Sequence, residues 1–397
     1  MSLNLKLERI ISDTITNIKS KSYKGYDPYD ALTSPYVYRY KDSNNLSLLM
    51  TVLFRFSPVN MRSALKTPEA INPKALGLII SSYVKLINLG IDLKIKEIDY
   101  LVALLVKYRS KNYSGISWGY PFPWRNRWRL VEKFEPSIVS TSFAANSLLD
   151  YYVLSKDTFL LDLSEKACDF IINNLESKEF NSGICFEYMP GDKTVVLNAS
   201  ALGASLLTRV SDYTDNRRFR DKAKAAFDFI LSRQLDNGRW EYSYDYITDQ
   251  PRKQTDWHQG FILDSLLNYV QKSRDKNVIN QLGLGAKFYR RQFREDGSSF
   301  WRYNQMDYPI NIHNQAQGII TFSRLSHYFP EYLELAEKIL GWTLENLYSN
   351  EGTFYYQKGR FFKNKIIYIR WSQSWMLLAM ATYLEACKNK NETISKE

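Results

Sequence analysis

The sequence predicts an all-α chain closed into a six-hairpin α/α toroid, with inner and outer rings of six helices and short extended segments at its mouth. Three observations predict it. An aromatic phrase recurs along the chain, and most copies are followed by a small-residue apolar stretch and then an amphipathic one. The composition, 45% apolar and 24% charged over 397 residues, fits one large buried core. The expected division is 1–50 as an N-terminal helix and tyrosine-rich loop packed on the ring, 51–388 as the toroid of six repeats, and 389–397 as a polar tail.

In chain order, MSLNLKLERIISDTITNIKSK mixes charged and apolar residues and lacks a signal-peptide core, so it reads as an amphipathic helix of a cytoplasmic protein. A tyrosine-rich loop follows, in which Asp27 and Asp30 are placed to reach the mouth. Phe54-Arg-Phe56 reads as a degenerate first copy of the phrase. The clear copies are Gly115-Ile-Ser-Trp118-Gly-Tyr120, Gly183-Ile-Cys-Phe186-Glu-Tyr188, Gly238-Arg-Trp240-Glu-Tyr242, Gly297-Ser-Ser-Phe-Trp301-Arg-Tyr303 and Gly352-Thr-Phe354-Tyr-Tyr356. Their tyrosines fall 68, 54, 61 and 53 residues apart, the spacing of one helical hairpin per copy.

Between phrases, Asn198-Ala-Ser-Ala-Leu-Gly-Ala-Ser-Leu-Leu is apolar nearly all round and predicts a buried inner helix. In the stretch after it, Ala223, Ala226, Phe227, Ile230 and Leu231 share one helical face, as in a half-buried outer helix. Asp256-Trp257-His258-Gln259 aligns with Arg370-Trp371-Ser372-Gln373, and Asn314-Gln315-Ala316-Gln317-Gly318 takes the same place in the fifth copy. Gln259, Gln317 and Gln373 are then expected to be equivalent, each at the start of an inner helix. Inner helices that run parallel gather their N-termini at one mouth, where free N–H groups and dipole ends favour bound oxygens.

The charge balance, 53 basic against 42 acidic residues for a net +11, favours anionic partners. Basic residues form no dense stripe, so no nucleic acid is expected. No apolar run reaches the length of a spanning helix. Three scattered cysteines and three histidines point to no metal site and no cofactor, and the oligomeric state stays open. Zinc-dependent lanthionine cyclases would need ligands this chain lacks, and the acid cluster of isoprenoid cyclases is absent.

This organisation resembles the six-hairpin glycosidase superfamily over 52–387, a group that includes unsaturated glucuronyl hydrolases, N-acylglucosamine 2-epimerases and polysaccharide lyases. Thr255-Asp-Trp-His-Gln-Gly260 and Arg370-Trp-Ser-Gln-Ser-Trp375 look like the phrase that opens an inner helix in unsaturated uronyl hydrolases, with order and spacing changed. Gly25-Tyr-Asp-Pro-Tyr-Asp30 looks like the opening of uncharacterised six-hairpin proteins associated with bacterial surface polysaccharide synthesis. The resemblance implies a carbohydrate partner, anionic by the charge balance. The first expectation is glycosidic hydrolysis; the others are uronate elimination or epimerisation, and a non-catalytic binding toroid.

Aromatic faces stack on the C–H faces of sugars and amides bind hydroxyls, so Trp118, Tyr120, Tyr188, Trp240, Tyr242, Trp257, Tyr303 and Trp371, with Gln259, Gln317, Gln373 and Arg370, are the substrate-binding candidates. Hydrolysis needs an opposed acid and base, for which Asp256 and Glu241 are the expected carboxyl pair. Elimination or epimerisation needs a base and a cation, and His258 with Arg370 would supply them. The competing role for Asp256 is a helix cap.

Overall fold

The computed structural model describes residues 3–125, 129–302 and 306–394. Its helices are α1 (Leu3–Ser20), α2 (Pro35–Tyr38), α3 (Asn44–Phe56), α4 (Pro73–Asn88), α5 (Ile95–Lys107), α6 (Ile138–Ser155), α7 (Thr158–Asn174), α8 (Leu197–Thr214) and α9 (Arg217–Ser232). They continue as α10 (His258–Ser273), α11 (Lys276–Arg290), α12 (Ile312–Leu325), α13 (Tyr332–Leu347) and α14 (Trp375–Ile394), the last preceded by a π-turn over Ile369–Ser374.

The even-numbered helices from α4 to α14 form the inner ring. Each packs on the next, and α14 packs back on α4. Their small residues allow this: Gly77 of α4 lies so close to α6 that a Cβ would sit 2.8 Å from the Phe143 carbonyl oxygen. Serine and threonine on these helices return their hydroxyls to the backbone, as Ser82 Oγ does to Leu78 O at 2.6 Å, so polar side chains can be buried in the ring. Polar bridges tie neighbours together. Ser81 bonds Asp150, Arg209 bonds Asp150, Asn268 bonds Ser205, Arg324 bonds Asn268, and Lys85 pairs with Glu385 across the closure.

The turns inside the hairpins repeat one solution. Lys156, Asp215 and Arg274 end α6, α8 and α10 in the left-handed conformation, and the next residue, Asp157, Asn216 or Asp275, caps the outer helix with its side-chain oxygen. The sixth outer helix is α1, which packs on α14, so the first helix of the chain completes the last hairpin. Two details differ from the sequence reading. Phe54-Arg-Phe56 is not an extended phrase but the last turn of α3, because an apolar run opened by the Ser43 cap continues as helix to Phe56. The division after residue 50 also falls inside α3, and α14 runs on past residue 388.

Short antiparallel strands zip the mouth loops to each other. Residues 195–196, 243–244 and 251–252 form one sheet, 310–311, 357–358 and 363–364 another, and 24–25 pair with 70–71. No helix among the described residues is long and apolar enough to cross a membrane.

Candidate active site

Each phrase crosses an outer helix and then leads into an inner one. Gly115, Gly183, Gly238, Gly297 and Gly352 all have positive φ. A Cβ on them would lie 2.0–2.4 Å from a carbonyl oxygen of α7, α9, α11, α13 and α1 in turn. Glycine is therefore required at each crossing. Just beyond, the backbone N–H of Trp118, Phe186, Trp240, Ser299 and Phe354 donates to Thr141, Ser200, Gln259, Gln315 and Gln373 on the first turn of the inner helix. The glutamines also return their NH2: Gln259 Nε2 to Trp240 O at 2.7 Å and Gln373 Nε2 to Phe354 O at 2.9 Å.

This geometry differs from the sequence reading at five residues. Gln259 and Gln373 use their amides as staples between phrase and helix. Gln315, not Gln317, fills the equivalent slot in the fifth copy; Gln317 lies two positions on and bonds Asp264 and Thr321 within the ring. Trp118 and Trp240 are fully buried, with indole N–H groups on Leu105 O and Ile230 O of the preceding outer helices, so they present no face to the mouth. Tyr303 lies outside the described residues.

The phrase tyrosines, two residues on, point the other way. Tyr120, Tyr188 and Tyr242 stay half-buried around the mouth with Tyr29 from the N-terminal loop. Burial raises all three phenols, Tyr242 to about 12, and Arg370 partly offsets this for Tyr120 and Tyr188. The π-turn before α14 places Arg370 at their centre. Its Nε and Nη2 meet Asp27 Oδ2 and Oδ1 at 2.6 and 2.8 Å, and its guanidinium lies 4.7 Å from the Tyr120 ring centre. Asp27 reaches it because Arg62 holds the loop from below, bonding Asp30 through Nε at 2.8 Å and Asp27 O through Nη2 at 2.8 Å. Burial lifts the Asp30 carboxyl to about 7 against the pull of Arg62.

Beside this lies an aromatic and imidazole stack. Trp257, at the start of α10, packs 5.1 Å from His258, 5.3 Å from His313 and 5.9 Å from Trp371. His258 Nδ1 bonds Asp256 Oδ1, and its ring lies 4.7 Å from Tyr242. Asp256 Oδ1 also accepts from the His258 N–H at 3.1 Å, and Oδ2 from Gln254 at 2.7 Å. Asp256 thus caps the backbone and orients the imidazole together. Burial would raise its carboxyl, but His258 overrides this and holds it below the usual carboxylate value.

Glu241 faces away. It alternates with Tyr242, and its Oε1 accepts from Arg239 Nη2 at 2.6 Å. Glu241 is bonded by Arg239 and Asp256 by Gln254 and His258, so each carboxylate is engaged within its own short segment. Glu187 has the same repeat slot and is spent on the Gly191 and Lys193 N–H groups.

Three further residues complete the site. His313 of α12 is buried among Trp371, Trp375 and Phe261, with Nδ1 unpartnered; burial, Lys74 and Arg370 push its imidazole well below the usual value. Lys74 of α4 points to the ring axis, 4.2 Å from the Phe143 ring centre, and burial lowers its ammonium well below the usual value. Arg55 of α3 lies over Tyr29 at 4.9 Å and Trp301 at 5.6 Å. A signal existed for the last two, since each is the one charged residue in an otherwise apolar or polar-uncharged stretch, 44–54 with its continuation to Phe56, and 75–84 with its lead-in from Asn72. No cluster of three metal-ligating side chains occurs among the described residues.

The fold is that of six-hairpin glycosidase-like proteins, α/α toroids. Similar solved structures include a GH76 alpha-mannanase of Bacteroides thetaiotaomicron (TM-score 0.60, 13% identity, 80% of this chain and 88% of that one). A cellobiose 2-epimerase of Bacillus thermoamylovorans gives TM-score 0.61 at 13% identity over 80% and 89%. A glycosyl hydrolase family 88 protein of Bacteroides vulgatus gives 0.58 at 11% over 97% and 100%. The sequence matches no protein-family model and no curated protein.

Proposed function

We propose that this protein acts on a saccharide, and that its chemistry is abstraction and return of a carbon-bound proton, the step shared by epimerases and uronate lyases. The observation that carries this is the Asp256–His258 pair beside a second imidazole, His313, on one tryptophan. With Nδ1 held by Asp256, His258 takes the tautomer that leaves Nε2 free as a base. Nε2 takes the proton from the carbon next to a carbonyl or carboxylate, and the electron pair moves onto the oxygen. Arg55 and Arg370 supply positive charge for that oxygen. A proton delivered to the other face from solvent gives the epimer, with Nε2 releasing to solvent the one it took; departure of a β-substituent with its bonding pair gives the unsaturated product instead. Tyr120, Tyr188, Tyr242 and Trp371 form the walls against which the sugar lies.

Two-carboxyl hydrolysis by Asp256 and Glu241, the first expectation, needs both groups across one glycosidic bond. Glu241 is engaged by Arg239 through Oε1, which disfavours that reading. The similar solved structures include both hydrolases and an epimerase, so they support a carbohydrate substrate without choosing the reaction. The test is NMR in D2O with a panel of reducing disaccharides and uronate oligosaccharides. Deuterium is expected at one carbon, lost in His258→Gln and lowered about 100-fold or more in Asp256→Asn, in the range of general-base contributions. Glycosidic cleavage that persists in His258→Gln would overturn the proposal.

A further inference from the structure

The helix α3, which lies beside the mouth, is folded inside out. Its buried residues are Ser47, Thr51 and Phe54, whereas Leu46, Leu49, Val52, Leu53 and Phe56 are 42–51% exposed. They recur at helical spacing and form one apolar stripe. Its one charge, Arg55, turns inward to Tyr29. A neighbouring hairpin abuts the end of α3, where Asn364 Nδ2 donates to Ser57 O at 2.8 Å. At that hairpin's tip Phe361 is 90% exposed and Phe362 56%. Around these rings stand Lys358, Arg360, Lys363 and Lys365 with no acidic residue between them. Burial and the two flanking lysines lower the Lys363 ammonium, as in a cluster of like charges.

We propose that this face docks on the surface of an anionic phospholipid bilayer, with α3 lying in the interfacial plane, Phe361 and Phe362 inserted, and the lysines on lipid headgroups. Apolar stripe and basic rim match the two parts of such a surface, acyl boundary and negative headgroups. A protein partner would match the stripe equally, but the unopposed basic rim on a chain of net charge +11 favours the anionic lipid. No helix among the described residues is long and apolar enough to cross, and the contact proposed is a peripheral one. Because the stripe borders the mouth, docking would turn the site toward saccharides carried at the membrane. The inference stands on surface chemistry, and its readout involves no saccharide.

The test is flotation of the full chain with vesicles of phosphatidylcholine containing roughly one-third phosphatidylglycerol, against phosphatidylcholine alone, at physiological salt. The chain is expected to float with the anionic vesicles and to lose this in high salt. Leu49→Glu with Leu53→Glu removes flotation. Lys363→Gln with Lys365→Gln lowers partitioning about 25-fold, about fivefold per charge. All four side chains are exposed, so unchanged melting shows that the variants fold. Absence of flotation, equal flotation on neutral vesicles, or flotation untouched by the paired glutamates overturns the proposal. So does a dimer in light scattering that the glutamates dissolve while the wild type fails to float, since the stripe would then join two copies of the chain.

Discussion

Removing Asp27 tests how the two ends of the chain hold the mouth. Asp27 and Arg370 stand 343 residues apart and form two hydrogen bonds of 2.6 and 2.8 Å, with side chains 4% and 3% exposed. Asp27→Ala leaves the Arg370 guanidinium buried without its counter-charge, a change that costs about 3–5 kcal/mol in comparable pairs. Unfolding entropy of roughly 2.1 cal/mol/K per residue makes each kcal/mol about 1.2 °C for 397 residues, so the melting temperature should fall about 4–6 °C. The double variant Asp27→Leu with Arg370→Met removes both charges and should recover most of that loss, because buried ion pairs are often no better than apolar replacements. It should still lose most of the exchange activity, since Arg55 alone would then face the developing negative charge. Scanning calorimetry on the three proteins decides it. A fall below about 1 °C for Asp27→Ala, or a double variant less stable than the single one, would refute the reasoning.

Two further outcomes follow from the same geometry. Gly238→Ala should cost more than Gly191→Ala: both have positive φ, but only at Gly238 would the Cβ meet a backbone atom, Leu284 O at 2.2 Å. The left-handed alanine costs about 1–2 kcal/mol in either case, and melting measured side by side should show a clear excess for Gly238, none of which is expected if the phrase does not need its close crossing. His313 gives a pH signature. Its folded value is depressed, so as pH falls below the ordinary 6.5 the unfolded chain takes up a proton that the folded chain refuses, and stability drops. Against His313→Asn, urea midpoints of the wild type should converge above pH 6.5 and fall away below it. Asp30 and Asp192, raised to about 7 and about 6, act in the opposite sense in both proteins and cancel in the comparison.

The ring was legible because hairpin and phrase repeat at the level of residue type. Glycine at the crossings, an Asx cap after each left-handed residue and a polar first-turn partner are local requirements, visible wherever they recur. The register in the fifth copy was misread because Gln317-Gly318 imitates Gln259-Gly260, whereas the staple is a backbone contact that only coordinates show to fall on Gln315. Phrase tryptophans read as sugar platforms because sequence does not say which side of a phrase faces an outer helix. Arg55, Lys74 and Tyr29 were missed for a further reason. Arg55 and Tyr29 belong to segments that reach the mouth by chain return, to which repeat analysis is blind, and Lys74 opens α4, an inner helix with no clear aromatic phrase before it.

Those returns bear on why the charges are where they are. Arg62, Arg370, Lys74, Asp27, Asp30 and Asp256 are all buried, and all lie at the mouth end of the ring. Burying an ion costs several kcal/mol, and its partner repays this at best approximately, so six such groups are poor value as scaffolding when the inner helices are held by apolar packing and hydroxyl bonds. Buried, mutually perturbed charges gathered at one place are instead what a reactive site requires. Asp27, Asp30, Arg62 and Lys74 come from the first 75 residues and Arg370 from the turn before α14, so the Asp27–Arg370 pair exists only once the two ends of the chain have met, whereas Asp256 and His258 meet within one short segment. Closure of the ring and formation of the Asp27–Arg370 contact are therefore one event, and variants that loosen the seam between α1 and α14 should lose the placement of Arg370 before they unfold the ring.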